Sequence, residues 1–254
     1  MSRATKHIAL VITTAAALFT NTAAVGAQSD STSHWRFGVT PYVWLTSLNG
    51  KVGVGPVASS VDLGVGDILD ALKFGIMGSA EARKHSWVIL ADGVYANLGA
   101  EHVFAFRGDT GRLELTQSET IIQPTGGYTI GDNTWGLDLL GGFRYWNLGS
   151  SLDVDRTRRP SNEHSGSRSW VDATGGFRFR WVPIPSFRFV AAADGGGGGS
   201  QSTWQWYSSL GVDPWSRWTL GVAYRWLSVN YNHDNFLFDT DTKGFILGAT
   251  YRFR

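Results

Sequence analysis

Five histidines lie beyond residue 27: His34, His85, His102, His164 and His233. His233 sits in Tyr231-Asn-His-Asp-Asn235, with Asp239 and Asp241 close by. An imidazole beside carboxylates has the groups needed for a general base or a divalent-ion site. The same residues are the ordinary content of a solvated polar loop, and that reading is favoured because closeness in sequence does not make side chains converge. The chain has no cysteine, which removes thiol catalysis and cysteine-zinc sites. It has no phosphate loop, dinucleotide fingerprint or His-Glu-x-x-His motif either. No catalytic residue, cofactor or metal is therefore expected, and the chain is read as a non-enzyme.

A second set of charged residues is arranged by period. In Arg168–Trp181, Arg168, Trp170, Asp172, Thr174, Gly176, Arg178 and Arg180 alternate with Val171, Ala173, Gly175, Phe177, Phe179 and Trp181. Period-two writing puts successive side chains on opposite faces of a strand. The same alternation recurs at 135–146, 217–229 and 243–253, with aromatics near the ends of each apolar stripe and small or aliphatic residues between. Read by register, the polar face carries Glu81, Arg83, Asp92, Asp138, Arg144, Asp172, Arg178, Arg180, Arg188, Arg225 and Arg252. These are the candidate lumen charges. Small residues between them leave room for long side chains, and Arg178 and Arg180 are expected to reach Asp172 or Asp138.

The elements that position these charges are strands of a closed antiparallel transmembrane β-barrel. Twelve Trp, 8 Tyr and 14 Phe suit two interfacial girdles around an apolar band. Short turns are expected at 83–86, 131–133, 183–186 and 213–216, where Asn, Asp, Pro and Ser provide turn chemistry. Longer external connections are expected at about 49–72, 100–112, 149–165, 194–200 and 232–242. Ten spans fit between them, at 34–48, 73–84, 87–99, 113–129, 134–148, 166–181, 186–193, 201–212, 217–231 and 243–254; eight or twelve strands are the alternatives. In the first connection, 50–63 reads as an extra hairpin strand or a fold over the lumen, and 67–72 as a brief helix. Asp194-Gly-Gly-Gly-Gly-Gly-Ser200 has the composition of a linker and reads as a flexible external loop or a replaced segment.

The ends fix the route. Arg3 and Lys6, the mostly apolar run 8–20 and the small residues 25–27 form a secretory signal, with cleavage placed after Ala27. Residues 28–33 are then a short periplasmic segment, and 34–254 the barrel. Two of 22 cations leave with the signal and none of 21 acids does, giving a mature charge of −1. Such a balance offers no case for nucleic-acid binding.

Thr40-Pro-Tyr-Val-Trp-Leu-Thr-Ser47, Leu48-Asn-Gly-Lys-Val-Gly-Val-Gly55, Val61–Leu72 and the final Tyr251-Arg-Phe253 resemble stretches of a small, largely uncharacterised group of proteobacterial outer-membrane β-barrel proteins. The resemblance covers almost the whole mature chain. It implies the fold and the cell outer membrane, and brings no catalytic residues. Such barrels end on an aromatic residue read by the barrel assembly machinery, whereas here Arg254 follows Phe253.

The expected role is a structural or surface-interaction barrel with a polar, obstructed lumen and both termini periplasmic. Its partners are outer-membrane lipid and lipopolysaccharide, the assembly machinery during biogenesis, and an unidentified small polar solute or surface ligand. The alternatives are a narrow anion-biased pore, suggested by seven inward arginines against four acids, and a barrel hydrolase.

Overall fold

The computed structural model describes residues 34–54, 57–106, 109–156 and 159–253. The signal, the 28–33 segment and Arg254 lie outside the described residues, as do the side chains of His102 and His164.

One antiparallel sheet closes on itself. Its strands are β1 (Arg36–Val54), β2 (Val57–Leu63), β3 (Leu72–Lys84), β4 (Trp87–Phe106), β5 (Asp109–Gly131), β6 (Trp135–Arg156), β7 (Arg159–Ile184), β8 (Phe187–Gly198), β9 (Ser202–Trp215), β10 (Trp218–His233) and β11 (Phe236–Phe253). Neighbours in sequence pair from β3 to β11, and β11 returns to pair with β1. Ten strands form the ring. The eleventh, β2, is a hairpin partner for the C-terminal part of β1, and the short helix α1 (Val65–Ala71) follows it. The 50–63 segment is thus a hairpin strand, and the helix begins two residues before the expected 67. At its start the Asp67 carboxylate accepts the Gly64 N–H at 2.8 Å.

Alternation sorts the residues as the period requires. Phe37, Phe74, Ile76, Ile89, Phe143, Val171, Phe177, Phe245 and Leu247 are exposed on the outside. Trp87, Tyr128, Trp135, Trp181, Trp215, Trp218 and Phe253 ring the end that carries the short turns. Because the ring closes through β11 and β1, its strands are paired around the wall except for one interval beside 42–47 of β1, an architecture compatible with hydrocarbon around it.

Several expected loops are strands. β4 and β5 continue to 106 and from 109, and β6 and β7 to 156 and from 159. The expected 232–242 loop is a two-residue turn at Asp234 and Asn235, with φ of 50° and 59°. That is the left-handed pair a type I′ hairpin needs, and Asp and Asn tolerate it best after glycine.

The glycine tract is also corrected. β8 runs through Gly198, with Gly195 opposite Gly175 and Gly196 opposite Thr174. A Cβ on Gly196 would lie 1.8 Å from the Ala173 carbonyl oxygen, so the tract permits close backbone approach. Gly198 then turns the chain at φ 137°.

One interval of the ring is not paired. β1 pairs with β3 from Arg36 to Pro41 and with β2 from Leu48 to Val54. Over 42–47 it keeps β11 but has no strand partner on the other flank. Pro41, which has no amide hydrogen to donate, is the last residue of the β3 ladder.

Candidate functional site

The lumen is filled from the short-turn end upward by three polar layers. In the lowest, Asp213 on β9 accepts Arg188 Nε at 3.0 and 2.9 Å and pairs with Arg252 Nη2 at 3.2 Å. Arg252 also donates to Thr219 Oγ1 at 2.7 Å. These residues come from the ends of β8 to β11, so the layer ties the last four strands together.

The second layer spans the lumen. Asp138 on β6 receives Arg83 Nη2 from β3 at 2.9 Å and Arg178 Nε from β7 at 2.8 Å, and pairs with Arg180 Nε at 3.4 Å. Glu81 accepts Arg83 Nε at 2.9 Å and pairs with Arg178 Nη2 at 2.8 Å. β4 and β5 separate β3 from β6 around the wall, so these bonds form a chord across the interior. Asp138 is completely buried. A carboxylate taken out of water at that depth survives as an ion only because several guanidiniums face it.

In the third layer, Tyr42 Oη donates to Asp92 Oδ2 at 3.0 Å, and Arg225 Nη1 meets Asp92 Oδ1 at 2.8 Å. Arg225 Nε continues to Gln205 Oε1 at 3.0 Å, and Gln205 Nε2 to Gln123 Oε1 at 3.0 Å. Gln123 accepts Arg144 Nε at 3.2 Å, while Arg144 Nη2 pairs with Asp194 Oδ1 at 2.5 Å. β1, β4, β5, β6, β8, β9 and β10 all contribute to this chain. Below and around it remains a space of about 130 Å³, bordered by Asp92, Arg178, Asp194 and Arg225.

Above the charges the lumen becomes aromatic. Trp146 and Trp170 stack at 5.6 Å between centroids, and Trp170 stacks on Tyr231 at 4.1 Å. Trp146 is 1% exposed, so part of the tryptophan content serves the interior and not the girdles. Beside this cluster, on the β1–β4 side, lies a cavity of about 600 Å³.

The structure therefore brings ten of the eleven candidate lumen charges, namely Glu81, Arg83, Asp92, Asp138, Arg144, Arg178, Arg180, Arg188, Arg225 and Arg252, into these layers. Asp172 goes elsewhere: it accepts Trp170 Nε1 at 3.1 Å and the Ser200 N–H at 2.7 Å, holding the turn after β8. Of the two carboxylates expected for Arg178 and Arg180, Asp138 is the one used.

Two acids were missed. Asp194 fell in the expected loop and Asp213 in the expected turn, yet both face inward. The signal was available, since the alternation of Arg188, Val190 and Ala192 continues onto Asp194. With these two the acids named in the lumen number six against seven arginines, which removes the motive for anion bias.

The histidine candidate does not assemble. His233 follows buried Tyr231 on the inner face and contacts its ring at 5.3 Å. Asp239 and Asp241 alternate with buried Phe238 and Thr240 and so occupy the other face. His85 sits in a turn at φ 52°. Among the described residues, no three His, Asp or Glu side chains group to hold a metal ion.

No protein-family model matches the chain. No curated protein matches it in sequence either. Solved structures do. The outer membrane protease OmpT from Escherichia coli aligns over 87% of this chain and 98% of its own, at 12% identity and a TM-score of 0.55. The translocator domain of the autotransporter NalP from Neisseria meningitidis aligns over 88% and 90%, at 13% identity and a TM-score of 0.41. At these identities the likeness concerns the backbone, and it shows that the chain has the closed ten-stranded fold of a bacterial outer-membrane β-barrel.

Proposed function

We propose that the protein is a structural or surface-interaction barrel of the cell outer membrane with an obstructed lumen, anchored by its apolar band and presenting strand-built hairpins to the exterior. The observation that carries this reading is the chord from Glu81 and Arg83 to Asp138, Arg178 and Arg180, which obstructs the lumen with interlocked ion pairs. Such pairs resist displacement, because breaking one strands an ion in a buried setting.

The signal ending at Ala27 supports export, and the even ring of strands supports placing both mature termini in the periplasm. Lipid and lipopolysaccharide would then contact the outward apolar face, and the assembly machinery would act on β11. The motifs around Thr40–Ser47 and Leu48–Gly55 support a place in the proteobacterial group that the sequence resembles. The separation of His233 from Asp239 and Asp241 supports a role other than catalysis.

Planar bilayers test the reading. Purified protein, folded as judged by a change of gel mobility on boiling, is expected to give no resolved channel or only a small conductance. A large, stable conductance would overturn the proposal.

A further inference from the structure

We infer that the 600 Å³ cavity holds one acyl chain of a lipid from the surrounding outer leaflet, admitted sideways between β1 and β3. The wall is interrupted there. Beyond Pro41↔Gly78 the two strands are unpaired, and pairing on that flank of β1 resumes only at Leu48↔Leu63. Both banks of the interruption border the cavity, Trp44 on one side and Gly75 and Met77 on the other. Val43, on the opposite face of β1 from buried Tyr42 and Trp44, borders it too, which places the space at the interruption itself.

The position matches hydrocarbon. Phe74 and Ile76, 58% and 64% exposed, flank the interruption on the outside, and Phe245 and Leu247 lie across β1 from it. The opening is therefore continuous with the apolar band at its outer edge. Its volume falls within the range of roughly 300–1,000 Å³ typical of pockets that enclose a small ligand. On the β5 side the lining follows the polarity of a lipid: Glu119 lies toward the exterior, and Ile121 deeper.

Helix α1 is built as a cover. None of its residues is buried, and Val65, Leu69 and the adjoining Leu72 are exposed, although Ile68, Leu69 and Leu72 all border the cavity. An apolar helix stripe over an apolar space gains burial only when that space is filled by something apolar. A chain drawn from the neighbouring leaflet does this without crossing a polar layer.

The test uses the full mature barrel in vesicles of phosphatidylethanolamine and phosphatidylglycerol, with the photoreactive residue p-benzoylphenylalanine introduced at Met77 or, separately, at Leu98. Phe143 on the outer face serves as the lipid-exposed control, and Leu140 beside the lower lumen as the shielded one. Every variant is first checked for the gel mobility change of a folded barrel. Lipid adducts, read by intact mass, are expected at Met77 and Leu98 well above the Leu140 level.

Adding Gly75→Phe should lower those adducts several-fold while leaving the Phe143 adduct unchanged. A Cβ at Gly75 meets its neighbours at 3.5 Å, so the larger side chain has a place to start from. Adducts at Met77 and Leu98 no greater than at Leu140 would overturn lipid occupancy. Adducts that persist at full strength with Gly75→Phe would overturn the lateral route.

Discussion

The lower lumen and the β1–β3 flank are parts of one wall, yet they are built on opposite terms. In the lower lumen each side chain is committed to several others, and Asp138 on β6 alone draws Arg83 from β3 and both Arg178 and Arg180 from β7. On the β1–β3 flank the backbone ladder itself lapses, and α1 contributes no buried residue. Strand pairing secures the ring, but what fills the ring decides where it is rigid. A polar network crossing the interior ties distant strands to one another, whereas an apolar space beside an unpaired edge ties nothing.

The largest expected effect breaks the rigid side. Asp138→Ala leaves three buried guanidiniums without their shared carboxylate and should destabilise the folded barrel by about 3–5 kcal/mol. Denaturant unfolding in lipid, compared with the unmodified protein, measures it; a change under 1 kcal/mol (about one ordinary hydrogen bond) would show that the chord does not hold the strands.

Leu247→Arg sharpens the comparison from the outside. The residue is 48% exposed in the apolar band, and a cation there should cost about 2–4 kcal/mol near the midplane, as read by the same unfolding measurement. The smallest effect belongs to the loose side. Ile68→Ala in α1 should change global stability by no more than about 0.5 kcal/mol, because the helix rests on the barrel without being packed into it. Hydrogen exchange should find the amides of α1 opening well before those of β6 and β7, and equal protection would erase the contrast between the two regions.

Much of this was legible in the sequence because period two is a direct record of which face is wet. Arg178 and Arg180 against Phe177 and Phe179 assign inside and outside without any knowledge of the partner strand. The four short turns were legible for a similar reason, as Asp, Asn, Pro and Ser mark them locally. What escaped lies where that record is cut short. Asp194 precedes glycines whose missing side chains carry no alternation, so β8 seemed to stop before the charge that Arg144 needs. The continuation of β10 and β11 into a two-residue turn escaped because Asn, His and Asp there read as loop residues by type, and the positive φ at Asp234 and Asn235 shows how tightly the hairpin turns. The lapse between β1 and β3 is a relation between two strands. Pro41 is its only trace in the sequence.

That lapse also bears on how the cylinder answers force. A ring joined by hydrogen bonds along its full height has a fixed girth, since widening it means breaking a whole column of rungs at once. Here the seam between β1 and β11 extends from Phe37↔Phe253 to Val54↔Phe236, while the seam between β1 and β3 ends at Pro41. The circumference is held at the short-turn end and released toward the other, where β1 and β3 can part or approach without the loss of a rung. Lateral pressure on the wall would be absorbed at that slit, the place where a collar of paired strands has a vent cut toward the end opposite the short turns.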